Sequence, residues 1–199
     1  FEGTELDGTM NYPLRTALLA FVRNQIGAPE MAARLEQLRE NYPRDAFFSC
    51  LNLLGSHDRE RLFTMLGDAP DPDTLSEEEC AAFRLDEGHA SLAMSRLWLT
   101  VLLQMTLPGV PCVYYGDERG MEGFRDPYNR AAFPWDGGRM DCATVFRNAI
   151  AVRKALPVLT AGDFEPFADG EDVFGFWRRG EDGECVCVLA NASLHDAHT

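Results

Sequence analysis

Eight residues, Phe47-Phe48-Ser49-Cys50-Leu51-Asn52-Leu53-Leu54, form an apolar run that ends in Gly55-Ser56-His57-Asp58. All but Asn52 are tolerated inside a sheet covered on both faces, and Asn52 there needs a polar partner. Read as a strand over 47–54, the run delivers an imidazole and a carboxylate to one end of a sheet. In parallel α/β sheets the carboxyl ends of the strands are where reacting groups collect. A His-Asp pair after a strand is also read as a capped loop or a salt-bridged surface corner. A second stretch of similar build, Pro108-Gly109-Val110-Pro111-Cys112-Val113-Tyr114-Tyr115-Gly116-Asp117-Glu118, follows a long helical segment. Its apolar part, Val110 to Tyr115, is expected to be a second strand.

The rest of the chain fits around these two stretches. Leu6 to Met10 is the strand-like part of the first ten residues. Asn11-Tyr12-Pro13 opens a helix with Leu14, Ala17, Leu18 and Phe21 on one face. Pro29 begins a second helix, from Glu30 to Asn41, closed by Tyr42-Pro43. Ser76 and Glu79 have capping-box spacing. A largely apolar helix spans Glu87 to Thr106 and is stopped by Pro108-Gly109. Gly116 to Gly138 has no period and is expected to be a long functional loop. Asp141 to Leu156 reads as an amphipathic helix with Ile150, Val152 and Leu156 inward. Beyond Gly162, Asp172 to Arg178 and Glu184 to Ala190 alternate around a turn and predict an antiparallel hairpin. Strand, helix, strand, helix over the first 156 residues is the grammar of a parallel sheet.

Charge limits the partners. Of 199 residues, 18 are basic and 32 acidic, for a net charge of −14. That argues against nucleic acid and anionic membrane surfaces, which require clustered Lys and Arg. The longest apolar stretch, Leu97 to Leu107, is too short to span a bilayer. There is no phosphate-binding glycine loop. The six cysteines at 50, 80, 112, 142, 185 and 187 form no CxxC pair. They suit a reducing, cytoplasmic setting better than a metal or disulfide framework.

Three constellations carry candidate chemistry. His57 and Asp58, with Arg61 beyond, offer a carboxylate and a hydrogen-bonding ring. Asp117 and Glu118 are adjacent carboxylates that read best as a structural corner. Phe124 to Trp135 mixes Asp126, Arg130 and aromatic rings. Asp126 and Arg130 are four apart, which a simple salt bridge also explains. Acid, base and flat rings together suit a polyhydroxylated ligand.

These same residues resemble a known family. Asn52-Leu53-Leu54-Gly55-Ser56-His57-Asp58 with Arg61 is similar to the seventh-strand motif of the α-amylase family (glycoside hydrolase family 13), in its neopullulanase, cyclomaltodextrinase and maltogenic amylase form. Gly109 to Glu118 with Gly120-Met121-Glu122-Gly123 resembles the eighth strand and its loop. Asp126-Pro127 with Arg130 and Trp135-Asp136 resembles the next segment, and Met10-Asn11-Tyr12-Pro13 the end of the sixth strand. Arg59 departs from the pattern, standing where the family usually has threonine.

The resemblance implies an α/β fold: about strands 6–8 of a (β/α)₈ TIM barrel over residues 1–158, then the start of an antiparallel β domain over 159–199. It implies retaining cleavage of α-1,4 or α-1,6 glucosidic bonds in α-glucan oligosaccharides. By it Asp58 is a catalytic carboxylate, His57, Asp126 and Arg130 bind substrate, and Asp117 and Glu118 are structural. It implies no cofactor and no metal in this stretch. Retaining hydrolysis needs a nucleophile and an acid/base about 5 Å apart, and in this family both follow earlier strands, upstream of Phe1. The expectation is therefore a piece of a longer hydrolase, inactive alone, whose open barrel edges favour self-association. A non-catalytic glucan-binding or interaction module, and a transglycosylase or isomerase of the same family, remain alternatives.

Overall fold

The computed structural model describes residues 6–193. It contains helices α1 (Tyr12–Val22), α2 (Ala28–Asn41), α3 (Arg44–Ser49), strand β1 (Leu51–Leu53), α4 (Leu62–Leu66), α5 (Glu77–Ala82) and α6 (Glu87–Thr106). Strand β2 (Val110–Cys112), α7 (Met140–Ala155), α8 (Val158–Ala161) and strands β3 (Asp163–Asp169), β4 (Val173–Arg179) and β5 (Cys185–Asn191) follow. The chain divides into two compact units. One takes the chain up to Leu53, Leu102–Cys112 and the part from Ala149 onward; the other takes Leu54–Val101 and Val113–Asn148.

In the first unit β1 and β2 pair in parallel, with Asn52 opposite Pro111, and Met10 adds a parallel bridge to Leu51. Three successive parallel segments thus lie in the order of the sequence. The buried amide of Asn52 finds its partners there: its Nδ2 donates to the Pro108 carbonyl at 2.6 Å, and its Oδ1 accepts from Asn11 Nδ2 at 3.2 Å. Gln104, also buried, donates to the backbone carbonyls of Asn52 and Cys112 at 2.8 and 3.0 Å. Side-chain amides therefore stitch the short parallel ladder where backbone pairing is brief. Asn11 caps α1 by accepting from the Leu14 N–H, and the expected face of Leu14, Ala17, Leu18 and Phe21 is buried. The antiparallel sheet β3-β4-β5 belongs to the same unit, with Phe174 and Phe176 of β4 fully buried. Phe21 of α1 meets Phe174 edge-on at 5.8 Å, and Phe47 of α3 meets Phe164 of β3 at 6.1 Å.

Arg178 of β4 is wholly buried in this unit. Its guanidinium donates to the carbonyls of Thr106 at 2.8 Å, Leu159 at 2.7 Å and Gly162 at 2.9 Å. Thr106 and Leu159 lie in the last turns of α6 and α8, so the arginine satisfies carbonyls that a helix end leaves without partners.

Three sequence expectations are corrected. The strand expected over 47–54 is confined to 51–53, and Phe47 and Phe48 lie in α3. Pro43 is its N-cap residue, and Asp45 sits in its first turn, where a carboxylate favours the helix. A short aromatic-rich run carries too little period to separate helix from strand. In α7 the buried residues are Cys142, Val145, Phe146 and Ala149, not Ile150, Val152 and Leu156; Val152 is 38% exposed. The second strand also stops at Cys112, short of Tyr115. The Ser76–Glu79 capping box is present in full, and α6 has the expected limits.

Candidate active site

The residues singled out from the sequence all lie in the second unit, on two loops. The chain leaves β1 through Leu54 and Gly55 and turns at Ser56, whose Oγ accepts from the Asp58 N–H at 3.2 Å. This turn presents His57 and Asp58 side by side, with Nε2 and Oδ1 3.2 Å apart and both side chains more than half exposed. The second loop forms two single 3₁₀ turns, Asp117–Arg119 and Tyr128–Arg130. Within it Arg130 pairs with Asp126 at 3.1 Å. Arg130 also donates from Nη2 to the His57 carbonyl at 3.3 Å, so the two exposed pairs sit on one rim.

The chemistry available follows from that exposure. Exposed ion pairs are worth only about 0–1 kcal/mol, so Asp126, Arg130, His57 and Asp58 can exchange their mutual contacts for hydroxyl groups at little cost. Two carboxylates supply acceptors, and the guanidinium supplies donors in a planar fork. Trp135 is 80% exposed and lies 4.9 Å from Phe133, ring to ring. Arg59, the departure from the family pattern, is exposed beside them.

Beneath the rim the polar groups are buried. Arg61 has no exposed surface; its guanidinium lies 4.5 Å from the Tyr114 ring and 4.6 Å from the Tyr115 ring, donates to the Tyr115 carbonyl, and stands 3.8 Å from Asp117 Oδ1. Burial, with the hydrogen bond to Tyr115 next, raises the Tyr114 hydroxyl above its ordinary pKa. Asp117 is 2% exposed. Gly55 leaves room for its carboxylate: a Cβ at that position would collide with it. Glu118 turns back to accept from the Gly116 N–H at 2.7 Å, and Gly116 takes a left-handed φ of +86° that favours glycine. Asp117 and Glu118 thus form a corner, not a part of the rim.

Sequence reasoning did not single out Asn129. It is completely buried and donates to backbone carbonyls of the His57–Asp58 turn. Backbone acceptors leave no trace in a residue pattern; its place between Tyr128 and Arg130 was the only available signal. Among the described residues no group of three or more His, Cys, Asp or Glu side chains is arranged to hold a metal ion. No helix among them is long and apolar enough to cross a membrane.

Comparison with known proteins gives this geometry a context. The family model described as alpha amylase, catalytic domain, matches residues 1–159. An amylopullulanase of Thermoanaerobacter thermohydrosulfuricus is 37% identical over 188 residues, which are 89% of this chain and 12% of that protein. A cyclomaltodextrinase of Geobacillus thermopakistaniensis is 32% identical over 195 residues, 96% of this chain and 29% of that one. Among solved structures, the cyclic α-maltosyl-(1→6)-maltose hydrolase of Arthrobacter globiformis, in complex with cyclic α-maltosyl-(1→6)-maltose, matches with a TM-score of 0.78 at 30% identity. It covers 96% of this chain and 38% of that one. The native debranching enzyme of Nostoc punctiforme matches with a TM-score of 0.80 at 27% identity, over 98% of this chain and 39% of that one. The chain therefore spans from about an eighth to two-fifths of the length of these relatives.

Proposed function

Because this chain belongs to the alpha-amylase catalytic-domain family, with its three parallel segments as a portion of a (β/α)₈ barrel, we propose that it supplies the substrate-holding rim of a retaining α-glucan hydrolase. One observation carries the reading: Arg130 reaches the His57 carbonyl at 3.3 Å and so brings the His57–Asp58 and Asp126–Arg130 pairs together. In this reading Asp58 accepts hydrogen bonds from sugar hydroxyls and favours the distorted, positively charged sugar ring of the transition state. His57 donates to the same sugar unit, and Asp126 and Arg130 hold the next glucose units of an α-1,4- or α-1,6-linked chain. The nucleophile and the acid/base, which retaining enzymes place about 5 Å apart, come from sequence upstream of Phe1. This chain alone binds glucan without turning it over. The exposed apolar residues on and beside the parallel strands, Leu51, Val110 and Val113, belong to sheet faces and edges that the upstream sequence or a second copy covers.

The test is reducing-sugar release from maltodextrin and cyclodextrin, beside titration of maltoheptaose into the same protein by NMR. Wild-type chain and an Asp58→Asn variant are compared, with light scattering on each. The expected result is saturable binding weakened by Asp58→Asn, no release above background, and self-association. Release that depends on Asp58 overturns the assignment of the missing groups to upstream sequence. Absence of binding overturns the glucan reading of the rim, and a monodisperse monomer overturns the open edges.

A further inference from the structure

Asn129 is a polar side chain with no exposed surface, placed between the two loops that build the rim. Its Nδ2 lies 2.8 Å from the carbonyl oxygen of Arg59, 2.9 Å from that of His57 and 3.4 Å from that of Ser56. The amide has two hydrogens, so the two short bonds are full ones and the third is a weaker, shared contact. The acceptors are the carbonyls of Ser56 and His57, before Asp58, and of Arg59, after it, with that of Asp58 left out. One donor group thus fixes the backbone before and after the carboxylate-bearing residue. The 3₁₀ turn that holds Asn129 also holds Arg130, which bonds the His57 carbonyl from the outside and pairs with Asp126. The carbonyl of Asn129 is 3.5 Å from the Tyr114 hydroxyl.

The orientation of the amide is settled by chemistry. Turned the other way, its oxygen would face three carbonyl oxygens. As placed, Oδ1 meets no donor among the described residues. Burying an acceptor without a partner is costly, and a residue kept there at that cost is kept for its two N–H groups. Neither a carboxylate nor a shorter side chain reproduces them.

We propose that Asn129 is the positioning residue of the rim: its buried amide sets the distance and direction of Asp58 and His57 relative to Asp126 and Arg130. It touches no ligand and acts through the backbone it holds. The inference rests on the glucan-binding reading of His57 and Asp58. A displacement of about 1 Å in a positioned group can change its effect a hundredfold, so holding the turn matters as much as its side chains.

The experiment uses the whole chain in three forms: wild type, Asn129→Ala and Asn129→Asp. The alanine variant leaves a polar space that a water can fill, so it keeps the fold. The aspartate variant keeps the shape but turns a donor into an acceptor. Two readouts are taken on each. Backbone ¹³C′ shifts and amide hydrogen exchange report on Ser56 to Arg59, with the amides of α6 as the internal standard for an intact fold. Maltoheptaose titration by NMR reports on the rim. Expected are loss of exchange protection and altered carbonyl shifts confined to 56–59, a glucan affinity at least tenfold weaker in both variants, and the larger loss in Asn129→Asp. An unchanged turn in Asn129→Ala overturns the positioning role whatever the binding result. A loosened turn with unchanged affinity overturns the link between the turn and the rim. If wild-type chain fails to bind while the turn still depends on Asn129, the glucan reading falls and the structural tether stands apart from it.

Discussion

Replacing Arg61 by methionine should lower stability by about 3–4 kcal/mol, and the reason lies in what surrounds the guanidinium. At 3.8 Å from Asp117 Oδ1, the pair attracts by roughly 4 kcal/mol at an effective dielectric near 20. Stacking over the half-buried Tyr114 ring and the 40% exposed Tyr115 ring, at 4.5 and 4.6 Å, adds about 0.5–1 kcal/mol for each face. Several kcal/mol of desolvation oppose these gains, and removing one member of a buried pair typically costs 3–5 kcal/mol. Methionine fills the space and keeps contact with the rings, so the loss measures the charge more than the volume. Asp117→Asn, which removes the other charge, should cost less. The double variant should be more stable than the sum of the two losses allows, with a coupling of about 2 kcal/mol. Urea unfolding of the four proteins, followed by far-ultraviolet circular dichroism and by fluorescence with coincident transitions, gives the cycle. A loss below about 1 kcal/mol for Arg61→Met, or additivity within about 0.5 kcal/mol, would refute an electrostatic floor beneath the rim.

Two further outcomes follow from buried groups elsewhere. Burial pushes the Cys142 thiol up to about 11. Only the thiolate reacts, so at pH 8 Cys142 should stay unlabelled by a disulfide reagent while exposed Cys185 and Cys187 react. Its labelling should appear only as pH climbs towards 11, and rapid modification at pH 8, mapped by mass spectrometry, would contradict its burial. Arg178→Met should cost about 2–4 kcal/mol, since charge-assisted bonds to the carbonyls of Thr106, Leu159 and Gly162 disappear and buried acceptors without partners are penalised. Arg178→Lys should recover part of that loss in the same urea experiment, because an ammonium keeps the charge but not the planar fork.

The helices were legible where period and punctuation agree. Tyr12 to Val22 and Glu87 to Thr106 repeat apolar residues at helical spacing and stand next to prolines or glycines that limit them. Hydrophobicity without period does not identify the buried face. In α7 Ile150 and Val152 are more apolar than Cys142 and Ala149, yet the helix buries Cys142, Val145, Phe146 and Ala149. Those four fall at i, i+3, i+4 and i+7, the period of one helical face. At Phe47 and Phe48 the aromatic content suggested a strand, while Pro43 and Asp45 marked the start of a short helix. Packing of Phe47 against Phe164 of β3 links residues more than a hundred positions apart, and no local pattern contains that.

The candidate site divides along the same line between what residue types reveal and what only folding brings together. His57, Asp58, Asp126 and Arg130 are singled out in the sequence by residue type and by their resemblance to family motifs, and the structure brings the two pairs to one rim. Their side chains are 48–59% exposed, while Arg61, Asn129 and Asp117 beneath them are at most 2% exposed. Exposed pairs contribute little to stability; buried donors and charges contribute through the groups they would otherwise strand. Substitutions on the rim should therefore change glucan affinity at nearly constant stability, and substitutions in the layer below should change both together. The two layers share an acceptor, the backbone carbonyl of His57, which accepts from Asn129 below and from Arg130 at the rim. On the proposed glucan reading, a disturbance below would reach the rim through that carbonyl, and a residue that contacts no sugar would then change how tightly one is held.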